Sequence, residues 1–163
     1  MAALMFAVLL VQQDKRSQPE AKTAPQEKQT QPKEVIFSGP QVGEKLAALP
    51  VKLIGAKEPI DLIKKYGEGP LNVVFFHKLT RPGFAFTRLV AKFGAEREKD
   101  KLKTAVVFLT DDPPAMQMQL ANIQRLLRQQ NKNVIVGVST DGADGPGAYG
   151  LNRNILILSL IHI

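Results

Sequence analysis

The stretch Leu71-Asn72-Val73-Val74-Phe75-Phe76, running on into His77-Lys78-Leu79-Thr80-Arg81-Pro82-Gly83, decides the fold class of this chain. Its first six residues are apolar except for Asn72. The run is too short for an ordinary helix and shows no alternation, so it reads as a strand buried on both faces, interior to a parallel or mixed sheet. Residues 77–83 form a loop. Phe86, Leu89, Val90 and Phe93 then recur at helical spacing, predicting a helix that the charged residues between Glu96 and Asp100 close.

Working outward, a second buried strand is expected over residues 104–109. Asp112 stands directly before Pro113, an N-cap followed by proline at the first helical position. The helix it opens carries Met116, Leu120, Ile123 and Leu127 on one face and runs to about residue 130, and a third strand covers residues 134–138. Strand, helix, strand, helix, strand is the pattern of an α/β sheet built from right-handed crossovers. Upstream, Leu46, Leu49, Val51 and Leu53 around Pro50 suggest a short edge strand. Ile60, Leu62, Ile63 and Tyr66 suggest a helical turn ending at Gly67 in the C′ position. Downstream, the glycine-rich segment 141–147 leads to Tyr149-Gly150-Leu151 and a last apolar segment, residues 155–163. An apolar strand with nothing polar after it suggests a gene fragment lacking C-terminal elements, and residues 158–163 are set aside as a doubtful, non-native tail.

A chain of 163 residues, 44% hydrophobic and 23% charged, has the composition of one globular domain. The net charge of +7 would suit nucleic acid, yet the only adjacent basic pairs are Lys15-Arg16 and Lys64-Lys65, and no aromatic residue interleaves a basic run. Nucleic-acid binding is therefore not expected. Residues 1–11 form an apolar run of signal-peptide length, too short to span a bilayer as a helix of about 20 residues. It lacks a basic start and a small-x-small cleavage site, so it reads as a truncated signal peptide or membrane anchor. Residues 12–33, rich in Pro, Gln, Lys and Glu, form a disordered linker, and residues 34–157 form the folded domain. This layout predicts an exported protein, periplasmic or otherwise extracytoplasmic, held at a membrane through residues 1–11. An unidentified protein is the expected partner, and no cofactor is expected.

The order of elements between about Pro40 and Ile157 resembles the thioredoxin-like superfamily, in particular its peroxiredoxin and exported thiol-reductase branches. Three markers carry the resemblance. Val42-Gly43-Glu44-Lys45-Leu46 is similar to the lead-in of those families, with Ala47 where proline is common. The strand at residues 71–76 leads to Thr80-Arg81-Pro82-Gly83, where reductases have Cys-x-x-Cys and peroxiredoxins Thr-x-x-Cys. Tyr149-Gly150-Leu151-Asn152-Arg153-Asn154-Ile155 resembles the segment before the cis-proline strand, with Ile155 in place of that proline. The resemblance implies a three-layer sandwich, a central mixed sheet with helices on both faces. It does not carry the activity over, because the chain has no cysteine. A helix N-terminus lowers the pKa of a thiol, and Gly83 has nothing to ionise.

Several residues stand where a site would form. Thr80, Arg81 and Arg153 would make an anion pocket with the amides at the helix start, Arg153 matching by resemblance the arginine that steadies a peroxide oxygen. Asp111, Asp112, Asp141 and Asp144 follow two strands at the edge where α/β sheets bind ligands, and would hold Mg²⁺ or Ca²⁺. Capping and turn roles account for Asp112, Asp141 and Asp144 adequately without a metal. His77 reads either as a general base or as a loop residue satisfied by backbone or solvent. Two functions follow. The first is a non-redox interaction or scaffold domain. The alternative is a cysteine-independent anion- or metal-binding protein or enzyme using the Thr80/Arg81/Arg153 pocket or the Asp111/Asp112/Asp141 edge.

Overall fold

The computed structural model describes residues 38–162; residues 1–37, with the apolar run, the polar linker and the start of the expected domain, lie outside the described part. In chain order the elements are β1 (Pro50–Leu53), β2 (Ile60–Asp61), α1 (Leu62–Tyr66), β3 (Leu71–Phe76), α2 (Arg81–Glu96), β4 (Lys103–Phe108), α3 (Pro113–Arg128), β5 (Ile135–Ser139) and β6 (Ile157–His162). The strands form one mixed sheet in the order β2-β1-β5-β4-β3-β6. The strands joined by α2 and α3 are parallel, β3 to β4 and β4 to β5. Strand β1 runs antiparallel to β5, and β6 antiparallel to β3.

All six residues of β3 are buried, as an uninterrupted apolar run with strands on both sides requires. Its side chains alternate between two cores. Val74 and Phe76 face Val90 and Ala91 of α2 and Leu120, Ile123 and Leu127 of α3. On the other face, Leu71, Val73 and Phe75 join Leu49, Leu62 of α1 and Tyr149. The two long helices lie together on one face because successive right-handed crossovers in one direction place them there, and the short α1 packs on the other through Leu62. The ring of Phe76 stacks on Phe108 with centroids 5.3 Å apart, linking β3 to β4 beneath α2.

Four features differ from what the sequence pattern suggests. The apolar stripe of α2 is not its core face: Phe86, Leu89 and Phe93 are 41%, 67% and 45% exposed, while Gly83, Thr87, Val90, Ala91 and Gly94 are buried. Small residues bring the helix axis close to the sheet, and the larger side chains are left on its flank. Strand β1 is not an edge, because β2 pairs outside it. Residues 158–162, set aside as a tail, belong to β6, which pairs with β3 from Leu71↔His162 to Phe76↔Ile157. Gly67 caps α1 with a right-handed φ of −76°, so the turn does not use glycine's left-handed freedom.

Thr104 of β4 is 1% exposed, and its hydroxyl has no hydrogen-bond partner among the described residues. A buried, unpaired hydroxyl costs free energy that an isosteric methyl does not. Thr104→Val is expected to stabilise the domain by about 1 kcal/mol. The check is the urea midpoint at constant m-value, and an unchanged or lower midpoint would show that the hydroxyl is satisfied in solution.

Candidate functional site

The loops after β3, β4 and β5 gather most of the residues singled out above. Thr80 is the N-cap of α2, with an extended backbone, and its Oγ1 accepts the Gly83 N–H at 3.1 Å. The Phe84 N–H donates to the Thr80 carbonyl at 2.8 Å. Pro82 has no N–H to offer, which leaves the Arg81 N–H as the one unengaged amide of this first turn. An anion at this helix start would meet far fewer donors than a bare helix N-terminus presents.

Gly83 is buried, and the space around it is filled. A Cβ built on it would lie 2.5 Å from Ile157 Cδ1, 3.0 Å from Thr80 Oγ1 and 3.1 Å from Phe76 Cε1. Three groups from β6, the loop and β3 thus converge on the position where a side chain would begin. Thr87 Oγ1 donates to the Gly83 carbonyl at 2.9 Å and fixes the turn from the other side.

Arg153 has a partner already. Its guanidinium grips the Asp144 carboxylate through two nitrogens, Nε to Oδ1 and Nη2 to Oδ2, the latter at 2.6 Å. The hydrogen bond from Arg153 holds the Asp144 carboxyl below its ordinary range, and the same bond raises the guanidinium pKa above its usual value. The expected Thr80/Arg81/Arg153 anion pocket would draw on this guanidinium, which in the structure is already paired with Asp144 at the surface.

The aspartates are dispersed over structural tasks. Asp111 Oδ1 accepts the Ala143 N–H at 2.8 Å and ties the loop after β5 to the end of β4. Asp112 Oδ1 accepts the Ala115 N–H at 3.2 Å as the cap of α3. Asp141 follows Ser139, whose Oγ accepts the Asp141 N–H at 3.2 Å. Among the described residues no three of His, Asp and Glu come together in a way that would hold a metal ion. The proposed metal edge of Asp111, Asp112, Asp141 and Asp144 is therefore not assembled: capping, loop anchoring and the ion pair claim the carboxylates of Asp112, Asp111 and Asp144, and the hydrogen bond at Asp141 is that of its backbone N–H.

His77 sits at the end of β3. Its Nδ1 donates to the Ile155 carbonyl at 2.8 Å, and its Nε2 is buried without a partner among the described residues. The ring thus joins the β3 end to the approach to β6. The chain matches no family model, no curated protein and no solved structure. The geometry alone must carry the functional reading.

Two residues escaped the sequence analysis. Ile157 fills the space beside Gly83, and nothing in the sequence links positions so far apart. Tyr149, which the sequence marks only through Tyr149-Gly150-Leu151, is buried, its hydroxyl donates to the Ala47 carbonyl at 2.8 Å, and its ring lies 5.9 Å from Phe75. Burial, with a smaller contribution from the Asp61 charge, pushes the Tyr149 pKa up from 10.0 to about 12. A raised folded-state pKa means stability is present in full below pH 10 and is lost as pH rises through about 12. Tyr149→Phe is expected to lower stability at neutral pH by about 1 kcal/mol through the lost hydrogen bond, and to flatten the alkaline decline. Urea midpoints followed from neutral pH to the alkaline limit check both; parallel curves for variant and parent would remove Tyr149 as the source.

Proposed function

We propose that this chain is a cysteine-free, thioredoxin-like domain that acts as a non-redox interaction or scaffold module, exported or tethered to a membrane through residues 1–11. The observation that carries this reading is the filled site at Gly83. Where redoxin-like proteins keep a reactive sulfur at the head of a helix, this chain has a glycine whose side-chain space is taken by Ile157, Phe76 and Thr80. The mixed sheet, the helices on both faces and the strand–loop–helix path from Phe76 to Gly83 support the fold half of the reading. The engagement of Arg153 by Asp144 supports the absence of an oxygen-stabilising role for that arginine. Fold alone does not carry activity. The tether rests on the apolar run of residues 1–11 in the sequence; no helix of the described residues is long and apolar enough to cross a membrane.

Titration calorimetry with phosphate, sulfate, Mg²⁺ and Ca²⁺ separates this reading from a cysteine-independent binder or enzyme. The scaffold reading expects no saturable heat. Saturable heat with an anion that Arg81→Ala removes, or with a cation that Asp111→Asn removes, would replace it. Fractionation of cells making the full chain tests the address: recovery in the cytosolic fraction would defeat export and tethering alike.

A further inference from the structure

A second feature lies at the opposite end of the sheet from β6. Between α3 and the turn that follows β1, a groove of about 530 Å³ opens over the sheet surface, within the range that small-molecule sites occupy. Val138 and Leu120 line it from the core, Ile54 and Ala56 from the turn, and Met118 and Ala121 from α3. Most of this lining is apolar, and Met118 is 82% exposed, so the groove offers hydrophobic surface that no part of the described chain covers.

Lys52 also lines this groove. It pairs with Val138 across β1 and β5, and directly opposed residues of antiparallel strands project from the same face. Val138 belongs to the core beneath α3, so Lys52 rises from the sheet on the groove side. The lining contains no carboxylate. The ion pairs among the described residues are Lys92–Glu96, Arg97–Asp100 and Arg153–Asp144, and none involves Lys52. An ammonium without a counter-ion among the described residues, beside an apolar surface of this volume, is complementary to a molecule with one anionic head and an apolar body. A polyanion would find one cation only, and a neutral hydrocarbon would leave that cation unused.

We propose that this groove binds an amphipathic monocarboxylate, an alkyl or aryl acid whose carboxylate pairs with Lys52 Nζ while its body lies over Leu120 and Val138. The site goes beyond the scaffold reading and does not depend on it. The test is a nuclear magnetic resonance titration of the chain with decanoate below its micellar concentration, with 1-decanol as the uncharged control. Saturable shifts confined to β1, its following turn, α3 and the end of β5 are expected. Lys52→Met is expected to weaken decanoate tenfold or more and leave decanol unchanged. Ala121→Phe, at an exposed helical position, is expected to block both without disturbing the fold. Absence of saturable binding, shifts centred elsewhere, or equal decanoate affinity in Lys52→Met would each overturn the proposal. Sedimentation with anionic phospholipid vesicles that Lys52→Met abolishes, in a chain that ignores decanoate, would reassign the lysine to a membrane surface and overturn it as well.

Discussion

Gly83→Cys is expected to lower stability by about 1–3 kcal/mol, the ordinary cost of forcing atoms into a packed space, and to hold a thiol that alkylating reagents reach slowly. The new Cβ would press on Ile157 Cδ1, Thr80 Oγ1 and Phe76 Cε1 together. Of these, the end of the Ile157 side chain is the easiest to move, so Ile157→Ala in the same chain should make room. Urea denaturation of the four species in the cycle is expected to show favourable coupling between the two substitutions, of about 0.5–3 kcal/mol. In the double variant the sulfur would sit in the first turn of α2, where the helix dipole favours a thiolate, and its pKa should fall below the free value of about 8.5. The pH dependence of alkylation measures it. A Gly83→Cys variant as stable as its parent with a fast thiol would show that the space is open, and the main support for the proposed non-redox reading would be gone.

Gly94→Val should be more damaging, about 3 kcal/mol or above, at the upper end of overpacking effects. Gly94 lies on the buried face of α2, where any Cβ would run into the Thr104 hydroxyl and come within 3.0 Å of Asn131 Nδ2. Thr104 is branched and buried in β4, so it has nowhere to turn, and α2 would have to lift from the sheet. A glycine inside a helix costs about 1 kcal/mol relative to alanine; that cost is tolerated here because it permits the close approach. Thermal or urea unfolding provides the measurement. A loss below about 1 kcal/mol would mean that α2 moves freely over β4, contrary to the packing described.

The two glycines also show where sequence reading succeeds and fails. Strands β3, β4 and β5 and helix α3 were legible within a residue or two, because continuous apolar runs, an Asp-Pro helix start and a 3.6-residue period are local signals. The capping role of Asp112 was legible for the same reason. The buried face of α2 was not legible, because Phe86, Leu89 and Phe93 outweigh Gly83, Ala91 and Gly94 on any hydrophobicity count. What decides the buried face is how closely the backbone can approach the sheet, and that depends on residues of β4 and β6. Arg153 looked free for the same kind of reason: its partner Asp144 sits on a separate turn, brought to it by the glycine-rich loop that Asp111 anchors.

By itself, the sequence determined that thiol chemistry is absent, since no cysteine exists in the chain, and that the fold is an α/β sheet, since the order and period of its apolar runs admit little else. Only the tertiary structure decided how the space beside Gly83 is filled, which carboxylates are engaged, and that Lys52 lines an apolar groove left uncovered by the described residues. Composition and periodicity act along the chain, over a few residues at a time. The closure of Gly83 by Ile157, the pairing of Asp144 with Arg153 and the setting of Lys52 opposite Val138 depend on contacts between distant or separately folded segments, which exist only once the sheet has formed.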